Sequence, residues 1–239
     1  VNHLFYIRND KEAVLNMIKS FSTDFVDVFE IKTDRFSPAY IQFEAVSDND
    51  NLNEGEPTRG NNCTSVDALV YAQHKDGSKW IIPIEWKYTE HYKNQNKAAE
   101  GFKVDPINCK GEVRKQRYTS LIDNSVQLEN SDHKCYYYEP FYQLMRQTLW
   151  AEQLVKNKEN ETIKADNYLH IHVIPTENGD LLNKTYKCSQ KDMETTWKSH
   201  LKDKKKYIII SPEKLLSNSL NNSKYSELKN YLTERYWEK

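Results

Sequence analysis

Asp67, Glu85 and Lys87 lie in a stretch, residues 64–90, whose pattern folds two carboxylates and an amine onto one face of a β-hairpin. Side chains alternate along a strand, so Glu85 and Lys87 share a face while Ile84, Trp86 and Tyr88 take the other. Asp76-Gly77 marks the turn, because glycine accepts the positive φ that short hairpins need. A Lys75-Asp76-Gly77 loop pairs His74 with Ser78 and sets Asp67 opposite Glu85. A two-residue Asp-Gly turn shifts the register by one and sets Asp67 opposite Trp86. The first register is preferred, since it collects Val66, Ala68, Val70, Ile82, Ile84 and Trp86 on one apolar face.

Carboxylates opposed across a strand pair repel unless a cation lies between them or one is protonated. Mg²⁺, with Mn²⁺ as its substitute, takes such oxygen ligands and leaves room for water and a phosphate. The ion would acidify a bound water and neutralise phosphate charge. Lys87 would orient or deprotonate that water, or stabilise the developing charge. The competing reading is a solvated hairpin face with an ordinary Glu-Lys pair.

Asp67, seventeen intervening residues and then Glu85-Trp86-Lys87 at the end of an apolar strand resemble the PD-(D/E)XK nuclease superfamily. Tyr88-Thr89-Glu90 and, further on, Tyr142-Gln143-Leu144-Met145-Arg146 look like segments of a bacterial restriction-endonuclease-like branch. The likeness runs from about Leu4 through the 207–211 segment, but only these two motifs are specific. Val66 stands where proline is common before the acid, and the chain opens at Val1 inside a helical pattern, so an upstream segment is expected to be missing. The resemblance implies an α/β fold with a mixed central β-sheet flanked by helices, around a restriction-endonuclease-like core. It implies a metal-dependent nuclease acting on DNA, with Asp67, Glu85 and Lys87 catalytic. Asp67, Glu85 and the backbone carbonyl of Trp86 would hold Mg²⁺. A restriction role also implies a homodimer and work in the bacterial cytoplasm.

Four further residues are expected to support this site. Glu44 shares a strand face with Gln42 and would complete the metal shell from a neighbouring strand. Gln143 and Arg146 lie on a polar stripe, with Gln147 and Trp150, along a helix opened by Pro140. If that stripe faces the hairpin, Arg146 clamps a phosphate and Gln143 holds a water or the lysine. Glu90 would order Lys87 or Arg146. Taken singly, an exposed strand glutamate and a solvated helix face account for these residues equally well. His170 and His172 share a strand face but lack a visible third metal ligand, and the basic run 202–206 reads as a solvated turn.

The rest of the chain must position these groups. Asp10 caps a helix running to about Phe21, and strands follow near 25–32 and 40–46 with Pro38 between them. Residues 47–62 read as a loop, and 91–131 as loops and short helices, an insertion or lid within a single domain spanning 1–239. Strands near 168–174 and 206–211 flank a helix at 190–201, and helical patterns close the chain. Pro83 marks a strand start, edge or bulge.

A chain of 239 residues with 38% hydrophobic and 29% charged residues can bury a sizeable core. No apolar run approaches membrane-spanning length. A net charge of -1 offers no global attraction to nucleic acid, so any DNA contact needs a local basic patch. Four scattered cysteines argue against zinc and disulfides and fit a reducing compartment. The alternative from another class is a catalytically silent nuclease-fold module that binds nucleic acid or a protein partner without cutting.

Overall fold

The computed structural model describes residues 2–33, 36–57, 63–130 and 133–237. Helices α1 (Asn2–Phe5) and α2 (Lys11–Lys19) precede strands β1 (Phe25–Phe29), β2 (Ile31–Thr33), β3 (Phe36–Ala39) and β4 (Ile41–Ala45). The hairpin strands are β5 (Val66–His74) and β6 (Lys79–Trp86), followed by α3 (Lys110–Asp123) and α4 (Phe141–Lys156). Strands β7 (Asn167–Tyr168) and β8 (His170–Val173) come next, then α5 (Gly179–Leu182), α6 (Met193–Ser199) and β9 (Tyr207–Ile210). Helices α7 (Pro212–Leu216) and α8 (Ser226–Leu232) close the chain, α8 ending in a π-type turn over Thr233–Trp237.

The main sheet runs β1-β5-β6-β8-β9, with β4 also on β5 and β7 also on β6. β5 pairs antiparallel with β1, β4 and β6, whereas β6, β8 and β9 run parallel. Each face of this mixed sheet buries its own core, as expected where helices cover both sides. One core joins Ala68, Val70, Ile82 and Ile84 to Val14, Ile18, Leu215 and Leu232. The other sets Leu69 and Ile81 against Tyr118 of α3 and Leu144, Met145 and Leu149 of α4.

Local chemistry explains most element boundaries. Asp10 accepts the Ala13 N–H at 3.0 Å and starts α2 where expected. Gly77, at φ 89°, closes the hairpin, and the Gly77 and His74 amides donate to His74 and Ser78 carbonyls at 2.9 Å. The three-residue loop is therefore the one formed.

Several expectations are corrected. Pro38 lies inside β3, which forms a two-stranded ribbon with β2, rather than between strands. Pro83 is neither edge nor bulge. It sits opposite Leu69 in a central strand, and its missing N–H faces the break between β7 and β8 at Leu169. Segment 91–131 includes a helix of 14 residues whose Tyr118 and Ile122 join the core. Trp150 and Gln147, expected on a polar stripe, are buried, because the sheet and the α3 side enclose α4 together. Cys135 and Cys188, expected as free thiols, form a disulfide, since the chain folds back to bring residues 53 apart in sequence together.

Candidate active site

The hairpin ladder's last pair is Ala68 with Ile84, so Asp67 and Glu85 are the next residue on each strand. At this point the strands part. The Trp86 N–H, which would otherwise reach a β5 carbonyl, donates to Asp67 Oδ2 at 2.7 Å. The Lys87 N–H turns to β8 and donates to the Val173 carbonyl at 2.9 Å. Because a strand residue's N–H and C=O point to the same side, the Trp86 carbonyl faces the Asp67 edge too. A short gap between diverging strands thus collects a carboxylate, a carbonyl and the Glu85 side chain.

Glu85 is the electrostatic centre of this gap. Its side chain is 1% exposed, and Oε1 meets Lys87 Nζ at 2.5 Å. From α4, Gln143 Nε2 donates to Oε1 at 2.6 Å and Gln147 Nε2 donates to Oε2 at 2.5 Å. Burial, reinforced by the Asp67 charge, raises the Glu85 carboxyl to about 7 against the pull of Lys87. Burial also pulls the Lys87 ammonium down, but the charges of Glu85, Tyr92 and Asp67 more than reverse this and leave it raised. Lys87 is therefore an ammonium at neutral pH. Tyr92 shares a side-chain hydrogen bond with Lys87, and burial pushes its phenol up.

The supporting residues divide. Gln143 reaches the site, where its Nε2 meets Glu85 and not the lysine. Glu44 falls between the pairs Phe43–Ala68 and Ala45–Val66, hence beside Asp67, and is exposed with a left-handed backbone at φ 49°. Arg146 does not point free into the site. Its guanidinium binds Glu54 Oε1 through Nε at 3.1 Å and Nη2 at 3.0 Å, and lies over the Tyr142 ring. Glu90 touches neither Lys87 nor Arg146; it is exposed, and its carboxylate accepts the Thr89 N–H at 3.0 Å. His170 and His172 are buried, and burial lowers both, so they stand neutral. His172 sits beside Glu85 in the parallel register, its Nδ1 on the Tyr207 hydroxyl at 2.8 Å.

Three residues escaped sequence reasoning. Gln147 was visible on the same helix stripe, one turn beyond Gln143, but its partner was not. Glu54 lies in an acidic loop with no periodic signal, yet it is buried and accepts from Thr64, Tyr118 and Arg146. Glu139, half-buried and raised chiefly by desolvation, lies 3.7 Å from Lys97 and within the field of Arg146 and Lys87.

Among the described residues, no three His, Cys, Asp or Glu side chains are grouped closely enough to hold a metal by themselves. The donor set nonetheless suits a hard cation that takes few protein ligands. Asp67 Oδ1 accepts no hydrogen bond among the described residues, and the Asp67 charge acts on the Glu85 carboxyl.

The family described as "Restriction Endonuclease associating with ARP" matches residues 1–237. The chain belongs to this family. No curated protein and no solved structure matches it. A mixed central sheet flanked by helices is compatible with the restriction-endonuclease-like core that this family implies, and the resemblance read from the sequence is borne out at that level. Among the described residues, no helix is long and apolar enough to cross a membrane.

Proposed function

We propose that the chain is a metal-dependent phosphodiesterase that cuts DNA, with Asp67, Glu85 and Lys87 at its centre. The observation that carries this reading is that Asp67 and Glu85 lie one residue beyond the last hairpin pair, with Asp67 holding the Trp86 N–H and the Lys87 ammonium against Glu85. Membership of a restriction-endonuclease family supports a nuclease-type activity. The family description also supports association with ARP as a partner of this chain.

Asp67, Glu85 and the Trp86 carbonyl would hold Mg²⁺ or Mn²⁺, with Glu44 the nearest further acid. Bound there, the ion supplies charge neutralisation at the phosphate and acidifies a coordinated water. The chain's own residues supply the rest. Gln143 and Gln147 fix the plane of the Glu85 carboxylate from a rigid helix. Lys87 carries its proton at neutral pH, so its role is to orient the attacking water and stabilise charge on the phosphate oxygens, rather than to act as base. Work on DNA belongs in the cytoplasm, whose reducing poise opposes the Cys135–Cys188 bond.

Plasmid cleavage with Mg²⁺ or Mn²⁺ tests the reading. Wild type cuts, and folded Asp67→Ala and Lys87→Ala proteins do not. Cleavage that survives both changes contradicts it, and a folded wild type that binds DNA without cutting supports the silent binding module instead.

A further inference from the structure

The chain as a whole carries a charge of -1, but residues 93–117 hold seven Lys and Arg against three Asp and Glu, a local charge of +4. Within this segment, at 101–108, lies a knuckle whose apolar side chains point outward. Val104 is 91% exposed, Ile107 75% and Phe102 49%. These are unusual for large apolar groups gathered so closely in a soluble protein.

The knuckle has a defined shape. Gly101, at φ 82°, turns the chain, and its carbonyl accepts the Val104 and Asp105 N–H groups at 3.0 and 3.1 Å. Asp105 Oδ1 then accepts the Ile107 and Asn108 N–H groups at 2.9 Å each. Its base is seated firmly, because α3 packs so closely on the 97–99 turn that any side chain on Gly111 would collide with the Ala98 carbonyl. The segment also reaches the catalytic region. Asn96 bridges Tyr138, the Gln95 carbonyl accepts the Glu139 N–H at 3.3 Å, and Lys97 pairs with Glu139.

Charge decides which partner fits. Lys103 stands exposed between Phe102 and Val104, and Lys110 follows the knuckle with its side chain 75% exposed, 3.6 Å from the half-exposed Glu100 carboxylate. Burying this tip against an apolar protein surface would strip water from the Lys103 ammonium without pairing it and from a Lys110 ammonium paired only loosely with Glu100, and lysine is depleted from protein interfaces for that reason. A polyanion pairs with each ammonium. Duplex DNA also offers base steps between which apolar wedges insert.

We propose that residues 101–110 form a duplex-DNA contact surface, with Lys103 and Lys110 on phosphates and Val104 and Ile107 wedged into a groove. The choice of DNA as the polyanion rests on the nuclease reading above, but the two can fail separately.

Fluorescence anisotropy with a labelled mixed-sequence DNA duplex, in EDTA and over a series of salt concentrations, tests the surface. Lys103→Gln/Lys110→Gln is expected to bind about tenfold more weakly, with the salt slope smaller by about 2. Val104→Ser/Ile107→Ser is expected to bind several-fold more weakly with the slope unchanged. Both double variants alter exposed positions and should melt with the wild type. Wild-type affinity in both, or no duplex binding by wild type, overturns the proposal. If those variants bind normally while wild type cuts plasmid, the surface fails and the nuclease reading stands. If wild type binds through this surface without cutting, the surface stands and the nuclease reading fails.

Discussion

Gln147 on α4 and Glu85 on β6 meet at 2.5 Å, joining the helix to the hairpin through the side chain that also faces Lys87. Gln143, one helical turn earlier, holds the other oxygen of the same carboxylate. Both glutamines thus set where a buried charge sits. Gln147→Leu removes one donor from that charge, and an unsatisfied buried carboxylate costs about 2 kcal/mol. Urea unfolding should register that loss, with a larger proportional drop in Mn²⁺-dependent cleavage than in duplex binding.

The Glu85 carboxyl gives a second test, through pH. Its folded value, about 7, lies above the ordinary 4.5. The folded protein therefore holds a proton more tightly than the unfolded chain does. The associated stability is fully present below about 4.5 and is lost as pH rises through about 7. Thermal melts of wild type and Glu85→Gln across this window should show wild type declining relative to the variant as pH rises. Parallel curves would contradict the raised value.

Arg146 and Glu54 form a pair in which Glu54 is 4% exposed and Arg146 23%. Removing Glu54 leaves the Arg146 guanidinium uncompensated beside Tyr118 and Tyr142. Glu54→Ala is expected to cost about 3 kcal/mol in chemical unfolding, and the double variant with Arg146→Ala less than the sum of the singles. Additive losses would mean that the pair is not coupled.

Glu44 holds a left-handed backbone on an otherwise regular strand, beside Asp67. Glycine in a strand interior ordinarily costs about 1 kcal/mol, but here it relieves a strain of similar size. Glu44→Gly should therefore melt no earlier than wild type while binding Mn²⁺ more weakly. Unchanged Mn²⁺ affinity would remove Glu44 from the site.

The sequence carried the hairpin best. Asp76-Gly77 and the alternation through Ile84 and Trp86 fix one register, and a single-residue slip would have buried Asp67 on the apolar side. Helix α4 was legible as a helix but not as a buried one. A hydrophobic stripe shows which side is covered; it does not show that Trp150 and Gln147 on the opposite side are covered as well. Glu54 and the Cys135–Cys188 pair depend on loops folding back over long sequence separations, and no local pattern records that. Glu90 lies close to Lys87 along the chain. Once β6 ends at Trp86 the backbone turns away, and nearness in sequence stops implying a shared face.

Calorimetric titration with Mn²⁺ bears most directly on the paired carboxylates. Wild type is expected to take up one ion, and Asp67→Asn and Glu85→Gln, each folded by circular dichroism, to take up none. Equal uptake by all three proteins, or none by wild type, would contradict a cation held between Asp67 and Glu85.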